Sequence, residues 1–216
     1  MLKAVPGMPL LLQEGLTAKL LEALKLGEID VAVVAEPLPI PGIMSWPVYD
    51  EPFAVVVPNQ HPWAQRDAVA STELQEQTML LLGAGHCFRD QVLKVCPELS
   101  RYSPTSTAGI QKTFEGSSLE TIRHMVASGI GITVLPWTAM PPGIEPGVEG
   151  KNTDGLLTYV PFEKTPPVRQ VMLVWRKSFG RVEAVEELYH CLAKLPQPGV
   201  KPLEVPEPLS LMTVPV

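Results

Sequence analysis

The chain has only three cysteines in 216 residues, and it lacks any apolar run of the roughly 20 residues that a membrane-spanning helix needs. Three cysteines cannot build the disulfide framework of a small secreted domain. The opening stretch, Met1 to Gly7, has no apolar core of the kind a signal peptide requires. Together these absences predict a cytoplasmic protein with reduced thiols and no membrane partner. Basic charge is also scarce. Seventeen Lys and Arg stand against 23 Asp and Glu, for a net charge of −6, and they are scattered along the chain. Gripping nucleic acid takes a concentrated basic face, so any control of DNA would fall to another part of a longer protein. Histidines and cysteines do not recur at the short paired spacings of a zinc cage. No glycine-rich phosphate loop with its lysine follows a strand, and no internal repeat is present. No metal and no cofactor are expected.

What is present is a pair of cysteines, Cys87 and Cys96, bracketing the segment from Gly85. Cys87 follows His86, with Arg89 two residues on, at what reads as the start of a helix. A thiol is most easily ionised there, and the helix start adds partial positive charge. Cys96 comes nine residues later. In an unbroken helix that spacing means roughly 13 Å of rise and about half a turn of rotation. A disulfide needs Cα atoms within about 7 Å. If these sulfurs ever bond, the helix must first come apart, which describes a redox switch better than a structural staple.

The rest of the chain alternates helix and strand. Leu16, Leu20, Leu21 and Leu24 recur at helical spacing and Gly27 stops the run. Residues 29–35 form a continuous apolar run of the kind found in a buried parallel strand. Two further strands are expected at Met44 to Tyr49 and Phe53 to Val57, on either side of a break at Asp50-Glu51-Pro52. Another is expected at 78–82, leading through Gly83-Ala84-Gly85 into the Cys87 helix. Ser117-Ser118 caps a helix over 119–128, and strands are expected at 132–135, 156–162 and 168–176. An amphipathic helix runs from Arg181 to Leu195 with Val182, Val185, Leu188, Leu192 and Leu195 on one face. Prolines then recur to the end, which predicts an extended or disordered tail over 196–216. The alternation implies an α/β fold with mainly parallel sheets. In such folds ligands bind at the carboxyl ends of strands, where Cys87 lies.

Leu20 to Glu22, Gly27 to Ala32, Val48 to Pro52, His61 to Trp63 and Gly131 to Pro136 resemble the effector domain of LysR-type transcriptional regulators. Gly85 to Gln91 with Cys96, followed by Ser117 to Val126, is similar to the peroxide-sensing branch of that family. The resemblance implies two Rossmann-like, periplasmic-binding-protein-like subdomains joined by two crossover strands. Residues 1–50 plus 168–195 would form subdomain I, and 51–167 would form subdomain II with the redox cysteines near the cleft. It implies that hydrogen peroxide oxidises Cys87 to a sulfenic acid, which Cys96 captures as a disulfide. Thr17, His86 and Asp90 would line the peroxide pocket and Arg169 would support the thiolate. The implied partners are a second and further copies (dimer or tetramer), promoter DNA and RNA polymerase, and the implied role is activation of transcription. The family's N-terminal winged helix-turn-helix, its linker helix and the first effector strand have no counterpart in this sequence.

Each of these residues also has a plainer reading. Cys87 can be a small hydrophobe near a strand end, and Cys96 a helix-face residue before the closing Pro97. His86 can be a polar loop residue, Thr17 a cap-region hydroxyl, Asp90 a complement to the helix start, and Arg169 a solvated edge charge. Cys191, between Leu188 and Leu192, reads as core-edge filler. Three other functions compete: an organic-acid-binding LysR effector domain, a thiol peroxidase, and a solute-binding protein. Paired cysteines at a helix start are not needed for the first. The second requires proline seven residues and Thr or Ser three residues before the cysteine, where Leu80 and Ala84 stand. The third needs an export signal. The sensor is therefore the expectation, and not an enzyme.

Overall fold

The computed structural model describes residues 6–35, 39–95, 113–150, 152–194 and 199–203. Cys96 lies outside the described residues, as do Pro97 and most of the proline-rich tail. The elements run α1 (Thr17–Leu26), β1 (Val31–Ala35), β2 (Ile43–Pro58), β3 (Met79–Leu82), α2 (Cys87–Val95), β4 (Thr113–Gly116), α3 (Leu119–Ala127), β5 (Thr133–Pro136), β6 (Thr153–Asp154), β7 (Leu157–Pro161), β8 (Val168–Arg176), α4 (Val182–Ala193) and β9 (Lys201–Pro202). Short 3-10 turns occupy Pro62–Gln65, Ser71–Glu76 and Trp137–Ala139. The chain divides into two units. One is Met1–Asp50 with Gln170–Pro196 and Lys201–Val216, and the other is Glu51–Arg169 with Gln197–Val200. The chain passes between them inside β2 and again inside β8.

In the first unit β1 pairs antiparallel with β8, from Val31 opposite Trp175 to Ala35 opposite Val171. Two apolar clusters hold it. The α1 residue Leu24 packs with Ala32, Val34 and Val174. The α4 residues Val185 and Tyr189 pack with Val48, Leu173 and Trp175, and Trp46 meets Trp175 edge-on at 4.7 Å. Each such side chain contributes about 1.5–3 kcal/mol when fully buried.

The second unit is built on the latter half of β2, where Val55, Val56 and Val57 are wholly buried. β5 and β7 flank it, both antiparallel. β3 pairs in parallel with β4 and meets Ile132 through a parallel bridge at Met79. Gly131 permits this meeting, because a Cβ there would fall 2.4 Å from the Thr78 carbonyl oxygen. The α3 helix begins as its sequence dictates, with the Ser118 hydroxyl accepting the Thr121 N–H at 3.1 Å. Its Ile122 and Val126 join Leu80, Leu82, Phe88 and Val92 in one core.

Three sequence expectations are corrected. The run at 29–35 is not a parallel strand buried on both faces. Its described partner is the antiparallel β8, and Val33 is 46% exposed. The pairings β1–β8, β2–β5, β2–β7, β2–β9 and β6–β7 are antiparallel, and β3–β4 is parallel. Apolar runs report burial and say nothing of strand direction. The third correction concerns Asp50-Glu51-Pro52, which does not break the chain into two strands, since β2 is continuous over 16 residues. Pro52 is tolerated because partners change around it. Tyr49 and Asp50 pair with β9, whereas from Phe53 onward the partners are β5 and, from Ala54, β7. A proline costs a ladder bond only where one is required. β4 had no assignment from sequence.

One local ion pair yields a pH prediction. Arg66 grips Glu73 with two N–H donors at 2.6 and 2.9 Å, and the Ala70 N–H also donates to Glu73 at 2.9 Å. These bonds, that of Arg66 first, hold the Glu73 carboxyl below its usual range. A lowered folded value means a contribution complete above the unfolded value of about 4.3 and lost as pH falls through the folded one. Urea midpoints for wild type and Glu73→Gln should therefore differ at neutral pH and converge in acid.

Candidate redox site

The site forms where β3 ends. Leu82 leads into Gly83-Ala84-Gly85, and Gly85 takes φ = 95°, a left-handed conformation that a side chain would strain. That turn delivers Cys87 as the first residue of α2. The first four N–H groups of a helix have no partner within it, so Cys87 sits at the electropositive end of α2. Cys87 and His86 are both half-buried, and Asp90 is exposed one turn further on.

α2 is short, with nine residues, of which Phe88 and Val92 are buried. A helix of that length is marginal without tertiary support, so these two side chains anchor it. The Phe88 ring stands edge-on to Phe53 of β2 at 5.2 Å. Arg89 adds a polar tether, donating to the Leu82 carbonyl oxygen at 3.1 Å and to the Glu115 carboxylate. Against these, the Gln91 side-chain amide is buried with neither its oxygen nor its nitrogen hydrogen-bonded among the described residues. An unmet buried polar group costs about 1–3 kcal/mol. Leu93 and Val95 of α2 add partly buried contacts to the same core.

Arg169 of β8 approaches the same turn. Its guanidinium lies 5.1 Å from the centre of the Phe88 ring, a cation–π contact. Its Nε–H donates to Glu51 Oε2 at 2.5 Å. Glu51 is wholly buried, and its other oxygen accepts the Thr138 N–H at 2.8 Å and the Thr138 hydroxyl. Arg169 is thus no solvated edge charge.

Of the residues singled out from sequence, His86, Cys87 and Asp90 share one turn, and Arg169 reaches the residue that follows Cys87. Thr17 is the first residue of α1, in the other unit. Cys96 lies outside the described residues. Cys191 is a half-buried thiol on α4. Among the described residues no three His, Cys, Asp or Glu side chains gather as a metal site, and no helix is long and apolar enough to cross a membrane. Sequence reasoning missed Phe88, Glu51 and Thr138. A signal for Glu51 existed. A carboxylate within the apolar stretch from Val48 to Val57 must find partners if it is buried.

The family model of the LysR substrate binding domain matches residues 1–196. A probable hydrogen peroxide-inducible genes activator of Streptomyces viridosporus is 36% identical over 183 residues, covering 85% of this chain and 54% of that protein. The chain therefore spans about half the length of the curated relatives it matches. Among solved structures, a reduced form of OxyR from N. meningitidis is similar at a TM-score of 0.81 and 41% identity, over 94% of this chain and 89% of that one. The reduced OxyR regulatory domain from Pseudomonas aeruginosa is similar at a TM-score of 0.74 and 38% identity, over 89% of this chain and 86% of that one. The fold is accordingly periplasmic-binding-protein-like, with two α/β units joined by two crossover strands, here β2 and β8.

Proposed function

The chain belongs to the LysR substrate-binding domain family, and from that premise we propose that it is the hydrogen-peroxide-sensing regulatory part of a longer transcription regulator. The observation that carries this reading is the placement of Cys87. A half-buried thiol opens a nine-residue helix, with a guanidinium held beside the next residue. The relatives named as peroxide-inducible activators support the same reading.

The chemistry balances in two steps. The Cys87 thiolate attacks one oxygen of hydrogen peroxide and the O–O bond breaks. A sulfenic acid forms, and hydroxide leaves to be protonated to water. The Cys96 thiol then attacks the sulfenic sulfur and expels a second water, leaving a disulfide. Peroxide is reduced by two electrons and the two thiols are oxidised. Helix geometry requires α2 to unwind for that bond to close. His86 and Asp90 would line the peroxide pocket, with Arg169 supporting the thiolate. The product is a change of shape and not a released metabolite, so the reading is of a sensor and not an enzyme. In the whole protein that change would alter packing within a homodimer or homotetramer, and hence contacts with promoter DNA and RNA polymerase. Those contacts would be made through an N-terminal DNA-binding domain in the cytoplasm.

Peptide mass mapping after limiting peroxide tests this. A Cys87–Cys96 disulfide is expected, and a bridge to Cys191 would overturn the assignment of roles.

A further inference from the structure

We propose that Glu51 is a positioning residue for the redox chemistry, acting on Cys87 through Arg169. The inference rests on the reading of Cys87 as the reactive thiol and assigns that site a positioning residue. Glu51 is wholly buried, and a buried carboxylate must be held by donors. One oxygen is clamped by Thr138, through both its backbone N–H and its hydroxyl. Thr138 lies in the 3-10 turn that follows directly from β5. The carboxylate is thus fixed to the sheet and cannot follow a moving arginine.

The way Glu51 grips Arg169 is the informative detail. A guanidinium has five N–H donors, and the strongest pairing with a carboxylate uses two of them side by side. Here Glu51 takes only Nε–H, at 2.5 Å. The Glu51 bond does not use the two Nη nitrogens of Arg169. The guanidinium carbon stands 5.1 Å from the ring of Phe88, next in sequence to Cys87. Arg89, the other cation of this turn, is engaged by Glu115 and the Leu82 carbonyl. Glu51 therefore fixes a cation at the start of α2 while leaving its outer donors for oxygen charge: a thiolate's reacting peroxide, or the hydroxide that leaves. A fork held in place costs no reorganisation at the moment of reaction.

The alternative role for Glu51 has the opposite sign. If it acted only as a nearby negative charge, removing it would leave Arg169 uncompensated and make Cys87 more reactive. If it positions Arg169, removing it releases the fork and makes Cys87 less reactive. Cys87-specific rates, read by peptide mass spectrometry from pH 5 to 9, decide between them. Hydrogen peroxide is one probe and iodoacetamide, which reports thiolate without needing peroxide chemistry, is the other. Glu51→Gln should lower both rates by roughly tenfold, about 1.4 kcal/mol in the barrier. Arg169→Gln should do the same, and the double variant should be no worse than Arg169→Gln alone, the non-additivity of residues acting in series. Glu51→Asp should recover part of the rate. Should Glu51→Gln fail to fold, Thr138→Val provides a milder test: it removes one clamp and should shift both rates the same way by less. Unchanged or faster rates in folded Glu51→Gln or Thr138→Val, or additive losses in the double variant, would overturn the proposal. A wild type inert to peroxide would instead sink the sensor reading, while the iodoacetamide arm still decides the role of Glu51.

Discussion

Cys87→Ser is expected to abolish the peroxide response completely. The substituted protein should show no disulfide and no change in proteolytic pattern at peroxide concentrations that convert the wild type. The reason is chemical. A serine hydroxyl matches cysteine in size but is not ionised near neutral pH and does not attack the O–O bond. Cys96→Ser should act differently, leaving Cys87 oxidised but unbridged, because only the second step is lost. Dimedone labelling separates the two outcomes, with a sulfenic adduct at Cys87 in Cys96→Ser and none in Cys87→Ser. A full response in Cys87→Ser would place the reactive sulfur elsewhere.

Phe88→Ala should have a large effect on stability. Phe88 is buried against Phe53 and beneath Arg169, and truncating a core phenylalanine costs about 3–5 kcal/mol. Phe53→Ala removes the same volume from the other side of the contact and should cost a similar amount. The two should part in where the damage falls. Phe88 is one of two buried anchors of α2, so its loss should open the helix locally before global unfolding. Limited proteolysis should then cut within 86–95 in Phe88→Ala under conditions where Phe53→Ala stays intact. Equal protection of α2 in both variants would mean that its stability does not rest on this ring.

The sequence made the family and the start of the redox helix legible for specific reasons. Helical spacing of leucines marks α1, and a serine cap marks α3. The Gly83-Ala84-Gly85 turn before Cys87 marks α2. These signals are local, set by residues within a turn or two of each other. Strand direction was not legible, because an apolar run such as Val31 to Ala35 is the same whether its neighbour runs parallel or antiparallel. Continuity of β2 through Pro52 was hidden for a related reason: it depends on where ladder bonds are needed, which distant strands decide. Hardest to see was the Thr138–Glu51–Arg169 chain. Its members lie 87 and 118 residues apart from Glu51, and no periodicity connects them. A carboxylate amid valines hinted that partners must exist without naming them.

On the proposed chemistry, closure of the Cys87–Cys96 disulfide unwinds α2 while β3 beside it holds. Hydrogen exchange followed by mass spectrometry, before and after stoichiometric peroxide, tests it most directly. Amides of Phe88 to Val95 should lose protection on oxidation, while those of Met79 to Leu82 in β3 keep theirs. Formation of the Cys87–Cys96 disulfide with protection of α2 unchanged would contradict the account.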